Sequence, residues 1–385
     1  MITLRIVRKV TELIGRTPLL SLCQDRSGSR LLLKLEQFNP LGTAKTRMAL
    51  EMVRDAERRG ALRPGGHIIE STSGNTGLGL ALVAAERGYR FTAVVDGHAC
   101  PDKLRAMRAM GAELVYVTGD GDGELATAAR EDLAARLAKD TDGAVFTEQH
   151  NNPGNAEGYR PLARELAEAL PEGVDYLIGA VGTGGSLCGT GRELRRTTPH
   201  TRIVGVEPVG SIAFGGPGGP YHQSGTGTPP GAPVGALVDF DLIDEGRKVS
   251  DRQAFGAARA LARRTGLLVG GSAGGVVYEA LRLMTAVPAR STVVAVLNDT
   301  GEKYLDTVFD DGWMAGHDLL DPTVEREVDD LLTRLSQDPD QDTGQDQDAG
   351  RRRTRAGTRA AGPDQETGRP GPRPGRRPGP SARRT

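Results

Sequence analysis

The stretch "HIIESTSGNTGLGLALVAAERG" (residues 67–88) decides how this chain folds. Its opening HIIEST (67–72) is apolar and β-branched enough for a strand buried on both faces. The overlapping ESTSGNTG (70–77) then gathers hydroxyls, an amide and two glycines into a loop, and a helical run follows. Strand, polar glycine-rich loop and helix in succession form the unit from which parallel α/β sheets are built.

Working outward, the same alternation recurs. Further strand candidates are RLLLKLE (30–36), RFTAVVD (90–96), AELVYV (112–117), DYLIGAV (175–181), TRIVGVE (201–207) and TVVAVLN (292–298). Helix candidates fill the gaps. TAKTRMALEMVRDAERR (43–59) places Met48, Met52, Val53 and Ala56 on one face and ends before Gly60, where a C′ glycine belongs. The expected fold is α/β, with two subdomains that each hold a mainly parallel sheet flanked by helices. Strand blocks 67–117 and 175–207, separated by a helical run near 123–140, suggest a crevice between the two. Ligands of such folds bind beyond the carboxyl ends of the strands. No internal repeat is present.

Composition sets outer limits. With 385 residues, 37% hydrophobic content and a net charge of −1, the chain has ample core for a large domain or two. The charge is unevenly placed. Residues 336–385 hold eleven arginines against seven acids, a net of +4, which leaves about −5 on residues 1–335 and no case there for nucleic-acid binding. SQDPDQDTGQDQDAG (336–350) and the Pro/Gly/Arg-rich run to Thr385 cannot repay ordering entropy. Residues 336–385 are therefore expected to be a disordered tail. Residues 1–335 are expected to form the catalytic region, its smaller subdomain spanning roughly 46–150 and its larger one the remainder. Three cysteines, no C-x-x-C and six scattered histidines argue against a disulfide framework or a metal site. MITLRIVRKV (1–10) lacks a secretory pattern, and no apolar run nears the roughly eighteen residues of a membrane span. The expected setting is cytoplasmic, without membrane or nucleic-acid partners.

Three glycine-rich loops each follow a strand. In ESTSGNTG, backbone N–H groups at a helix opening suit a carboxylate, although Ser, Thr and Asn also serve as ordinary caps. VGTGGS (181–186), with Gly182, Thr183, Gly184, Gly185 and Ser186, can nest a phosphate. A dinucleotide site with Glu207 as ribose ligand competes, but the third fingerprint glycine is replaced by Leu187, and no Gly-Lys-Ser/Thr follows. VGGSAGG (269–275) offers the isolated hydroxyl of Ser272, which a simple helix cap also explains. NPLGTAKTR (39–47) puts Lys45 one turn into its helix, either solvated or as a nucleophile. An amine, a phosphate nest, a carboxylate loop and a lone hydroxyl together match what pyridoxal 5′-phosphate requires.

On these residues the chain resembles the fold-type-II pyridoxal-phosphate enzymes of the cysteine synthase and cystathionine β-synthase family, whose fold is that of the tryptophan synthase β chain. The similarity runs from TELIGRTPLL (11–20) to YLDTVFDDGWM (304–314), in family order. The resemblance implies that Lys45 is the Schiff-base lysine and that Asn75 bonds the cofactor's 3′ oxygen. Gly182, Thr183, Gly184, Gly185 and Ser186 would hold the phosphate, and Ser272 would face the pyridine nitrogen. Thr72, Ser73, Thr76 and Gln149 would meet the substrate. It implies β-replacement on an activated serine through an aminoacrylate, in a homodimer, with no metal.

Within the family, GSIAFGGPGGP (210–220), DLIDEGRKVSD (241–251), GLLVGGSAGG (266–275) and YLDTVFDDGWM resemble the N-(2-amino-2-carboxyethyl)-L-glutamate synthases. Those enzymes serve 2,3-diaminopropionate formation for siderophores and peptide antibiotics, and the resemblance implies O-phospho-L-serine and L-glutamate as substrates. Cysteine synthase, with O-acetylserine or O-phosphoserine and sulfide, is the alternative. A non-catalytic cofactor-binding scaffold is the alternative of another class. The chain departs from the usual family pattern at Tyr159, where a histidine is common, at Leu162-Ala163, and at Asn298, where cysteine synthases commonly carry proline. Tyr159 with Leu162-Ala163, and Asn298, are expected to line the acceptor side of the site.

Overall fold

A computed structural model describes residues 6–96, 100–117 and 124–336, the side chains of 124–127 excepted. The tail expected over 336–385 lies, but for its first residue, outside the described residues. Among the described residues ten strands form two sheets: β1 (Leu19–Gln24), β2 (Arg30–Leu35), β3 (His67–Ser71), β4 (Arg90–Val95), β5 (Glu113–Tyr116), β6 (Ala144–Phe146), β7 (Tyr176–Ala180), β8 (Arg202–Pro208), β9 (Glu245–Val249) and β10 (Thr292–Leu297). The larger sheet runs β1-β2-β10-β7-β8-β9 and the smaller β5-β4-β3-β6. Every pairing is parallel except β1 with β2. The α/β expectation holds.

The helices are α1 (Lys45–Arg58), α2 (Asn75–Arg87), α3 (Pro101–Ala109), α4 (Glu124–Asp140), α5 (Pro153–Glu157), α6 (Arg160–Ala169), α7 (Gly185–Leu194), α8 (Asp251–Thr265), α9 (Gly271–Met284), α10 (Asp311–Gly316) and α11 (Pro322–Leu335). Alternate residues of β2 and β10 face opposite cores. Leu31, Leu33, Val293 and Ala295 pack with α8, α9 and α11, whereas Leu32, Val294 and Val296 join the core of α1 and α2. That two-sided burial explains why these strands read as unbroken apolar runs. Strands β1, β6 and β9 were not foreseen. All three close a sheet edge, where short or polar segments suffice.

Helix α1 begins two residues later than its sequence pattern suggests, so Lys45 is its first residue rather than one turn inside. The helix has no side-chain cap at its N-cap residue Ala44, but the Thr43 hydroxyl just before it accepts from Lys45 N at 3.2 Å. Beyond the other end, Gly60 takes φ 69°, as a C′ glycine does. Beneath this first turn lies a buried ionic cluster. Arg47 donates to Glu36 at 2.6 and 2.9 Å and to Glu165 at 2.8 and 2.9 Å, and Lys34 donates to Glu165 at 2.6 Å. These bonds fix the direction in which α1 presents Lys45.

Candidate active site

The carboxyl ends of β3, β7 and β10 open onto one cavity of about 960 Å³. Lys45, Asn75, Gln149, Gly182, Thr183 and Ser272 line it, as do Thr72, Ser73 and Thr76. Gly184, Gly185 and Ser186 continue the same loop into α7 without forming the cavity wall. Asn298 is on the wall, as expected. Tyr159 is not. It is fully buried among the α1 and α6 packing, its hydroxyl without a hydrogen-bond partner among the described residues and within reach of the Glu36 and Arg47 charges, and Leu162 and Ala163 are buried in the same core. That departure from the family pattern is a repacked core position, since the turn into α6 points inward there.

Lys45 is the central cation. Its Nζ makes no hydrogen bond among the described residues, and burial lowers its pKa to about 8 while the Asp299 carboxylate opposes the shift. Such an amine is about one-tenth uncharged at pH 7 and about half uncharged at pH 8, so the form a nucleophile or base needs is within reach. His150 lies on the same wall, and burial, with the Lys45 and Arg130 charges, depresses its pKa as well.

The loop after β3 spends its side chains on its own shape. Thr72 Oγ1 accepts from Gly74 N at 3.3 Å and Gly77 N at 3.1 Å. Thr76 Oγ1 donates to Gln149 Oε1 at 2.6 Å, and Gln149 Nε2 donates to Ser71 O at 3.2 Å. Ser73 Oγ accepts from Arg130, which pairs with Asp96. The N–H groups of Ser73, Asn75 and Thr76, in contrast, find no acceptor among the described residues. The loop therefore offers an anion its backbone donors at the start of α2, as the sequence suggests, while its Thr72 and Thr76 hydroxyls are engaged within the protein. Under it, burial raises the Glu70 carboxyl to about 8, and Thr147 Oγ1 donates to it at 2.6 Å. This ties the β3 loop to the segment carrying Gln149.

The second loop is also unspent. Backbone N–H groups from Gly182 to Leu187 reach no acceptor among the described residues, and Gly184 starts α7 without a side-chain cap. Gly184 has φ 85°, and a Cβ there would lie 2.8 Å from Leu237 O, so only glycine fits. Asn155, which the sequence reading missed, braces this loop by donating to Thr183 Oγ1 at 3.0 Å and Gln149 O at 2.8 Å. Glu207 is no ribose ligand here. It is buried and paired with Lys248 at 2.5 Å.

Ser272 stands in the first turn of α9 with its hydroxyl unbonded among the described residues. Close by, Asp299 joins several segments. Its Oδ2 accepts from Asn75 Nδ2 at 2.9 Å and from the Tyr304 hydroxyl at 2.7 Å, while its Oδ1 is buried without a partner among the described residues. Lys303 Nζ donates to Asn75 Oδ1 at 2.9 Å and Gly42 O at 3.1 Å. The Asn75 amide is thereby oriented from both ends. Of these neighbours, LNDTGEKY (297–304) was noticed only for Asn298.

The sequence pattern of the family described as pyridoxal-phosphate dependent enzyme matches residues 10–299. Over 324 residues, 84% of this chain and 96% of the relative, it is 53% identical to a Sinorhizobium fredii protein provisionally named a cysteine synthase. It is 38% identical to the N-(2-amino-2-carboxyethyl)-L-glutamate synthase of Ralstonia nicotianae, over 80% of this chain and 92% of the relative. The crystal structure of the O-acetylserine dependent cystathionine β-synthase from Helicobacter pylori superposes with TM-score 0.71 at 30% identity. It covers 79% of this chain and 99% of that one.

Proposed function

The chain belongs to the pyridoxal-phosphate-dependent enzymes of the cysteine synthase and cystathionine β-synthase family, and from that premise we propose that it joins O-phospho-L-serine to the amino nitrogen of L-glutamate. The coarser activity, cofactor-dependent β-replacement by a transferase, follows from the family itself. The product of the proposed reaction is N-(2-amino-2-carboxyethyl)-L-glutamate, a precursor of 2,3-diaminopropionate.

One observation carries the assignment of the site. A buried lysine amine without a protein partner shares a cavity with two loops whose backbone donors are unused. These groups fit pyridoxal phosphate: the N–H groups of the Gly182–Ser186 loop for its phosphate, Asn75 for its 3′ oxygen and the Ser272 hydroxyl for its ring nitrogen. When bound, the cofactor supplies an electron sink that labilises the Cα proton and lets the Cβ leaving group depart. The chain's own groups do the rest. The N–H groups of Ser73, Asn75 and Thr76 hold the substrate carboxylate, and Gln149 borders it. Lys45, with its pKa near 8, removes the Cα proton. Ser272 donates to a neutral ring nitrogen without stabilising a protonated one, which favours replacement over transamination.

The nitrogen acceptor is supported by the Ralstonia relative and by the 210–220, 241–251 and 304–314 segments. The Sinorhizobium relative's provisional name favours sulfide instead and makes cysteine synthase the second reading. One experiment separates them: purified protein with O-phosphoserine, offered L-glutamate and sulfide together. We expect the glutamate adduct; cysteine as sole product overturns the choice.

A further inference from the structure

Cations in the cavity wall fall into two groups. Arg105 is matched by Asp102, and Arg130 by Asp96. Among the described residues Lys45, Lys103 and Lys303 have no carboxylate within 4 Å, and of the three only Lys45 is claimed by the reaction. Lys103 is only 3% exposed. Its Nζ donates to the Tyr304 hydroxyl at 3.2 Å and lies 4.8 Å from the centre of that ring. The Tyr304 hydroxyl in turn donates to Asp299, and Lys303 is held by Asn75 and Gly42. A buried ammonium whose hydrogen-bond partners are a phenol or carbonyls costs free energy, because these replace hydration poorly.

We propose that Lys103, with Lys303 beside it, forms an anion subsite that receives the distal carboxylate of the acceptor, a dicarboxylic amino acid. This rests on the glutamate reading above and names the group that enforces it. Burial lowers the Lys303 pKa to about 8, Asp299 opposes the shift, and the Lys103 charge adds a smaller depression. An entering carboxylate relieves both desolvation and the repulsion between like charges. The cavity's size, about 960 Å³, is at the upper end of the range for small-molecule sites and leaves room beyond the Lys45 region for a second substrate. Lys103 carried no signal in the sequence, since a lysine in the first turn of a surface-type helix reads as solvated.

Trp313, the only tryptophan, lines the same cavity and reports binding without turnover. The test titrates cofactor-loaded wild type, Lys103→Met and Lys103→Arg with L-glutamate and with L-glutamine, reading Trp313 fluorescence. Wild type is expected to prefer glutamate to glutamine by about tenfold, the scale of one charge-assisted hydrogen bond. Lys103→Met should erase that preference and Lys103→Arg should keep it. A preference that survives in Lys103→Met, or equal weakening of both ligands, overturns the subsite. If wild type forms no glutamate adduct yet its preference depends on Lys103, the acceptor reading fails and the subsite stands. If the adduct forms and the preference ignores Lys103, the subsite fails and the acceptor reading stands.

Discussion

Replacing Lys45 with alanine removes an amine that bonds to no described protein group, so the surrounding fold loses no hydrogen bond. Lys45→Ala should therefore keep its far-ultraviolet spectrum and melting profile while losing both turnover and any borohydride-fixable link to the cofactor. Retained turnover would remove Lys45 from its role. Ser272 makes a subtler case. Ser272→Asp would set a carboxylate where the hydroxyl stands, favour a protonated ring nitrogen and deepen the electron sink. Transamination by-products and a shifted cofactor absorbance are expected; an unchanged product spectrum and absorbance would separate Ser272 from the cofactor. Neither residue stands out in its own stretch, and both become candidates only when the loops are taken together and matched to the family resemblance. Asp299 does not, because what singles it out is contact with Asn75, 224 positions away.

At the element scale, α1 is held by the ionic cluster under its first turn. Burial alone would raise the pKa of Glu165, but hydrogen bonds and charge from Arg47, with Lys34 assisting, win and lower it to about 2. A carboxylate depressed in the folded state contributes stability above its unfolded pKa of about 4.3, and that stability is lost as pH falls towards 2. The Glu165 side chain is 16% exposed, so little is screened away, and the contribution is on the order of 3 kcal/mol. Glu165→Gln should flatten the acid limb of a stability-against-pH curve between about pH 4 and 2. An unaltered limb would assign acid sensitivity elsewhere. Arg47→Met strands Glu36 in a dry core and should cost about 3–5 kcal/mol in denaturant unfolding. Asn155→Ala releases the α7 loop from Gln149 and should weaken cofactor retention in dialysis more than it lowers the melting temperature. The helix pattern of α1 was readable from its apolar spacing. Its anchor was not, because Glu36, Arg47 and Glu165 look like three ordinary surface charges until the chain brings them together.

For the molecule as a whole, Val10, Leu13 and Phe38 are about half exposed and share a second, apolar groove with Leu41 and Leu82. The homodimer implied by the family resemblance would cover such a face. Sedimentation should give twice the chain mass, and Leu13→Glu with Phe38→Glu should reduce it to one; a monomeric wild type refutes the dimer. The tail beginning at 336 is argued from composition alone, and its removal should leave turnover within about twofold. Among the described residues no helix is long and apolar enough to cross a membrane. By itself the sequence determined the fold class, the central strands and the glycine-rich loops that follow them. Those features depend on local periodicity, on runs buried from both faces and on backbone demands that only certain residues meet. Only the tertiary structure decided which polar groups remain unspent, and which cations touch no carboxylate, among the described residues. It moved Tyr159 away from the site, turned the Thr72 and Thr76 hydroxyls to holding their own loop, and drew Lys103 beside a tyrosine 201 positions on. Whether a donor is satisfied, or a charge matched, depends on neighbours the chain supplies from afar, and no local pattern records them.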